Sequence, residues 1–137
     1  MKLRHIFITL LCCLGAAAPL HAQDDFCGIK NISFRDGEKL FFKVYYNMGA
    51  LWVGAGEASF SVKKENYKGR EVFHVVGDGR TLKSYEWFYK VRDRYETYID
   101  VKTMLPVKFI RNVNEGGFKI YNNVTFNQEI GQAISTK

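Results

Sequence analysis

The chain has 137 residues, of which 47% are hydrophobic and 25% charged, and a formal charge of +6. That composition fits one globular domain and excludes a disordered tail, a collagen-like fibre, a coiled coil and a disulfide-dense miniprotein. Aromatic residues at 15%, with 8 Tyr and 11 Phe, favour β structure.

Residues 1–22 read as an export signal. Lys2, Arg4 and His5 form a basic start, 6–14 (IFITLLCCL) an apolar core, and Leu20-His21-Ala22 a processing site that makes Gln23 the new N-terminus. The apolar run is shorter than the about 20 residues that span a bilayer, so no stable membrane span is expected once the signal is removed. Cys12 and Cys13 lie inside the apolar core and Cys27 follows Asp24-Asp25-Phe26, so no cysteine is placed for a lipoprotein anchor. Processing removes Lys2 and Arg4 and no acid, leaving 115 residues with a charge of +4. So mild an excess describes a solvated surface, and nucleic acid is not an expected partner. Cys27 is then the one remaining cysteine, an inert thiol or a bridge between copies.

After an extension over 23–33, the segment 34–126 reads as strands. The run 39–46 (KLFFKVYY) places Leu40, Phe42, Val44 and Tyr46 on one face. Alternation over 51–63 places Trp52, Ala58, Phe60 and Val62 with Gly54 and Gly56 on one face, a pattern that suits strong bending. Asn66-Tyr67-Lys68-Gly69 signals a hairpin, and 70–76 follows as a strand apolar on both faces, which Gly77-Asp78-Gly79 should end. In 81–90, Leu82, Tyr85, Phe88 and Tyr89 have helical spacing over a length that allows a loop or one turn. Alternation resumes from Val91 to Ile99, and again from Pro106 to Val113. Asn114-Glu115-Gly116-Gly117 marks a hairpin into a last strand ending at Phe126, and 127–137 reads as an irregular tail. About six strands joined by hairpins predict an all-β fold: an antiparallel curved sheet forming an open barrel or half-barrel, or alternatively a β-sandwich.

Chemistry-bearing residues are sparse. His74 is the one histidine outside the signal, and with a distant Cys27 it makes neither a metal site nor a nucleophilic pair, so no metal or other cofactor is expected. Gly77-Asp78-Gly79-Arg80-Thr81 lacks the third glycine and long helix of a phosphate loop. The polar cluster Arg92, Asp93, Arg94 and Glu96 is denser. Arg92, Arg94, Glu96 and Asp100 share a face as a ladder of alternating charge, while Asp93 points with Val91 and Tyr95, where a buried ion pair would specify the fold. Tyr45, Tyr46, Trp52, Phe60, Tyr85, Trp87, Phe88 and Tyr89 supply core or, on a curved sheet, the wall of an apolar pocket.

Several motifs together resemble a known family. Phe34-Arg35-Asp36-Gly37-Glu38-Lys39-Leu40, Tyr45, and Gly54-Ala55-Gly56-Glu57-Ala58 are similar to the opening of the bacterial domain-of-unknown-function family 3108. The run from Phe88 to Asp100 (FYKVRDRYETYID), Leu105-Pro106-Val107-Lys108-Phe109-Ile110-Arg111 and Glu115-Gly116-Gly117 continue the likeness, which covers 34–126. The resemblance implies an exported, β-rich envelope protein and carries no catalytic residues with it. Family members continue through further strands, so the likeness is to the N-terminal part of the family domain and implies open sheet edges.

The expected product is a periplasmic or outer-envelope protein of a bacterium with a non-catalytic binding or structural role. In the sharpest form it carries an apolar small molecule such as a lipid, with Trp52, Phe60, Val62 and Tyr95 in the binding face. The alternative is a scaffold that completes its sheet with an envelope protein or as a homodimer, through sheet edges or Cys27. A hydrolase using Asp93, Glu96 or His74 is the third reading.

Overall fold

The computed structural model describes residues 30–136, and the export signal and Cys27 lie outside the described residues. Seven strands form one sheet in chain order: β1 (Lys39–Met48), β2 (Leu51–Tyr67), β3 (Arg70–Thr81), β4 (Val91–Asp100), β5 (Pro106–Glu115), β6 (Phe118–Asn127) and β7 (Gln132–Thr136). Every neighbouring pair is antiparallel and the sheet does not close, so it is a curved, open meander. One 3-10 turn, Lys83–Tyr85, interrupts the connection from β3 to β4.

The turns follow from their residues. Lys68 and Gly69 both have positive φ, 52° and 82°, and the Asn66 side chain accepts the Gly69 N–H at 2.9 Å. That is the mirror-image turn whose twist matches a hairpin. The Gly116-Gly117 pair does the same at φ 56° and 94°. Between β4 and β5, the Asp100 carboxylate accepts the N–H groups of Lys102 and Thr103, both at 2.8 Å. Asp100 is buried with Arg70 3.5 Å away. Burial opposes its charge, but these N–H groups and Arg70 together hold its pKa below the usual carboxylate value.

Two expectations about β boundaries are corrected. Gly77-Asp78-Gly79 does not end β3, which continues to Thr81 with Gly77 opposite Phe60 and Gly79 opposite Ala58. The Phe60 ring lies across Gly77, 2.9 Å from where a Cβ would stand, so glycine here is a seat for an aromatic ring rather than a turn. The tail expected to be irregular contains β7, whose five residues pair with β6.

Apolar burial is slight. Val62, Val72, Phe73 and Val113 are the buried hydrophobics among the described residues. They are spread over β2, β3 and β5, and Phe34 from the preceding segment packs edge-on against Phe73 at 5.2 Å. That segment is tied to β2 by Gly37 N–H to Val62 O and Val62 N–H to Glu38 O, each 2.9 Å, and by Lys64 N–H to Asp36 Oδ1 at 2.7 Å.

A bulge governs the start of β2. Pairing steps from Val44–Gly56 to Tyr45–Gly54, leaving Ala55 outside the ladder. Strand parity therefore reverses across it. Trp52 and Gly54, expected on one face with Phe60 and Val62, fall on the opposite face. The two glycines also differ in their surroundings. A Cβ on Gly56 would meet the Arg80 backbone oxygen at 2.9 Å, whereas one on Gly54 would make ordinary contact with the Tyr45 ring at 3.4 Å. Gly56→Ala is expected to destabilise the protein by about 1–3 kcal/mol and Gly54→Ala by less than about 1 kcal/mol, read from urea unfolding midpoints. Equal losses would contradict this account of the bulge.

Candidate functional site

The sheet carries a cavity on each face. On the polar face, register lines up two rungs across five strands: Phe41, Ser59, Asp78, Arg94 and Asn112, then Lys43, Glu57, Arg80, Arg92 and Asn114. These residues line a cavity of about 860 Å³. Its charges are largely paired. Arg80 Nη2 meets Glu57 at 2.7 Å, and Arg94 Nη1 meets both Asp78 oxygens at 3.0 Å. Arg94 Nε also donates to Glu96 at 2.9 Å, and Arg92 pairs with Glu86.

Of the ladder expected for Arg92, Arg94, Glu96 and Asp100, one pair forms within the set, Arg94–Glu96; Arg92 turns to Glu86 and Asp100 to Arg70, and the network runs on from Glu96 to His74 instead. His74 Nε2 lies 2.8 Å from Glu96 and Nδ1 3.5 Å from Glu65, while the ring stacks on Tyr98 at 4.3 Å. With both nitrogens facing carboxylates, His74 bridges β2, β3 and β4. Burial works against the Glu96 charge, but hydrogen bonds from Arg94 and His74 overcome it and lower its pKa. Burial, followed by the nearby negative charges of Glu96 and Glu65, raises the Tyr98 phenol. Among the described residues, no group of three or more His, Cys, Asp or Glu is placed to hold a metal ion.

Asp93 departs from the expected ion pair. It points to the other face, accepts the Asn114 N–H at 3.1 Å and hydrogen-bonds the Glu115 side chain. That contact and the Asp93 charge raise the Glu115 pKa.

The apolar cavity, of about 740 Å³, lies on that other face. Its floor is Val44, Tyr46, Val53, Ala55 and Val91, and its cover is Tyr85, Trp87, Phe88 and Tyr89 from the 82–90 connection. The bulge anchors this cover: Ala55, released from the ladder, accepts the Leu82 N–H at 2.9 Å. Tyr85 N–H then bonds Leu82 O at 2.9 Å, and Phe88 and Tyr89 N–H both reach Tyr85 O at 3.0 Å. The returning chain is fixed by Val91 N–H to Thr81 Oγ1 at 2.8 Å and by the Arg92–Glu86 pair. The Tyr89 ring lies across Gly116, close enough to exclude any Cβ there.

The four residues expected in the binding face are placed elsewhere. Phe60 packs edge-on with Phe42 at 5.9 Å, Val62 is core, and Tyr95 lies 6.4 Å from Phe109. Trp52 stands 69% exposed across the bulge. None of the four lines either cavity. The signal for the actual cover was the spacing of Tyr85, Phe88 and Tyr89, which one helical turn brings together.

Depressed carboxylate pKa values at Glu96 and Asp100 favour the folded state above the ordinary carboxylate range, and this contribution is lost as pH falls through the depressed values. Urea midpoints should therefore drop on acidification below about pH 4. Glu96→Gln, measured at pH 7, should cost about 1–2 kcal/mol and reduce the acid-dependent loss. An unchanged acid profile in that variant would show that the Arg94–Glu96–His74 ladder does not carry the effect.

A model of a family described as protein of unknown function (DUF3108) matches residues 42–137. No curated protein and no solved structure matches the chain. The matched span runs from within β1 through β7 and holds the bulge, the apolar cavity and all of the polar cavity's lining but Phe41, and on that match the chain belongs to the DUF3108 family.

Proposed function

We propose that this chain is an exported bacterial envelope domain that binds an apolar small molecule, of the acyl-chain class, without transforming it. The observation that carries the reading is the cavity between the bulge and the 82–90 connection. Its volume of about 740 Å³ lies in the range of small-molecule sites, and its floor and cover are almost wholly apolar. Each buried methylene of an alkyl chain contributes about 0.8 kcal/mol, so a single fatty chain suffices for useful affinity. The export pattern of residues 1–22 supports the compartment, where such ligands are abundant.

A second reading rests on the sheet edges. Among the described residues β1 and β7 each pair on one side only, so both offer backbone to a partner strand. A scaffold role predicts that amides on the outer side of β1 become protected from hydrogen exchange as protein concentration rises. Concentration-independent exchange there would count against it.

For the binding role, Trp52→Phe leaves Trp87 as the reporting tryptophan. Titration with oleate should then give a saturable blue shift of its emission. Val53→Glu, which places a charge in the cavity floor, should weaken binding about tenfold or more. Tyr95→Ala, away from the cavity, should leave it unchanged. A folded protein with no saturable response would overturn the proposal.

A further inference from the structure

The meander puts the β1–β2 turn, the 82–90 connection and the β5–β6 turn at one end of the sheet. That end gathers Tyr45, Tyr46, Leu51, Trp52, Trp87 and Phe88, all exposed, with Phe118 beside the third turn. Both tryptophans of the chain are here, 69% and 83% exposed. The opposite end is built differently. Its 64–72 hairpin (KENYKGREV) carries five charged side chains.

We infer that the aromatic end is a docking surface for a lipid bilayer. Three observations favour that occupant. The exposed residues are mainly Trp, Tyr and Phe on protruding loops, the residue types that settle at the headgroup level. Charge is arranged to match: 44–53 carries no charged side chain, and in 82–90 Glu86 is neutralised by Arg92, leaving Lys83 and Lys90 exposed beside the aromatics. Such lysines draw a surface toward anionic headgroups. Finally, Trp87 and Phe88 are at once the most exposed part of the patch and part of the apolar cavity's cover, so a bilayer seated here would meet that cavity directly. The docking surface goes beyond the ligand-binding role and does not rest on it.

The test is quenching of tryptophan emission in the full chain by vesicles of phosphatidylethanolamine and phosphatidylglycerol with brominated acyl chains. Trp52 and Trp87 should be quenched. A reporter at the other end, Ile130→Trp in a Trp52→Phe, Trp87→Phe background, should not be. Lys83→Glu with Lys90→Glu should weaken vesicle affinity about tenfold or more at low salt. Absence of quenching in a folded protein, or equal quenching of the residue 130 reporter, would overturn the inference. So would concentration-dependent shielding of Trp52 from iodide that vesicles cannot displace, which would assign this end to a second copy of the chain. Vesicle docking with no oleate response, or the reverse, separates this inference from the ligand-binding role.

Discussion

Backbone pairing between neighbouring strands carries this fold. A sheet ordinarily buries one face against a second layer, yet only four apolar side chains are buried among the described residues. Cohesion therefore comes from six antiparallel ladders, reinforced by cross-strand side-chain pairs: Arg80 with Glu57, Arg94 with Asp78, and His74 with Glu96. Exposed pairs of this kind each contribute little. The His74–Glu96 pair is more buried, Arg94 hydrogen-bonds the same carboxylate, and the pair ties β3 to β4 at the sheet's centre.

The β2 bulge gives that sheet its apolar cavity. Removing Ala55 from the ladder frees its carbonyl for Leu82, and that bond starts the aromatic connection over the β1–β2 surface. Gly56 permits the close approach of Arg80's backbone, which a side chain would block. The same step sends Trp52 to the other face. One irregularity thus sets the cavity floor, positions its cover and places an exposed aromatic at the tip.

Period-two alternation made the strands legible, because it reports which residues share a face. It placed Arg92, Arg94, Glu96 and Asp100 on one face, as the register has them, while the hairpin at Gly116-Gly117 was legible from its turn residues. It failed at the bulge, where Gly54 and Gly56 look equivalent in sequence and one unpaired residue between them reverses the parity. It also failed at Gly77 and β7. A glycine seated under Phe60 has the same letter as a turn glycine, and Gln132–Thr136 takes its strand form from pairing with β6 rather than from its own pattern. Alternation also could not locate the apolar cavity: Phe60, Val62 and Tyr95 do share a face, but what makes a cavity is the covering loop, whose anchoring contact to Ala55 is long-range.

The central claim is that an apolar molecule sits between the bulged hairpin and the 82–90 connection. Intermolecular nuclear Overhauser effects between oleate and methyl-labelled protein test it most directly. The account predicts contacts from the alkyl chain to the methyl groups of Val44, Val53, Ala55 and Val91, which form the cavity floor. Contacts confined to the neighbourhood of Phe60 and Tyr95, or no contacts with oleate in large excess over protein, would contradict it.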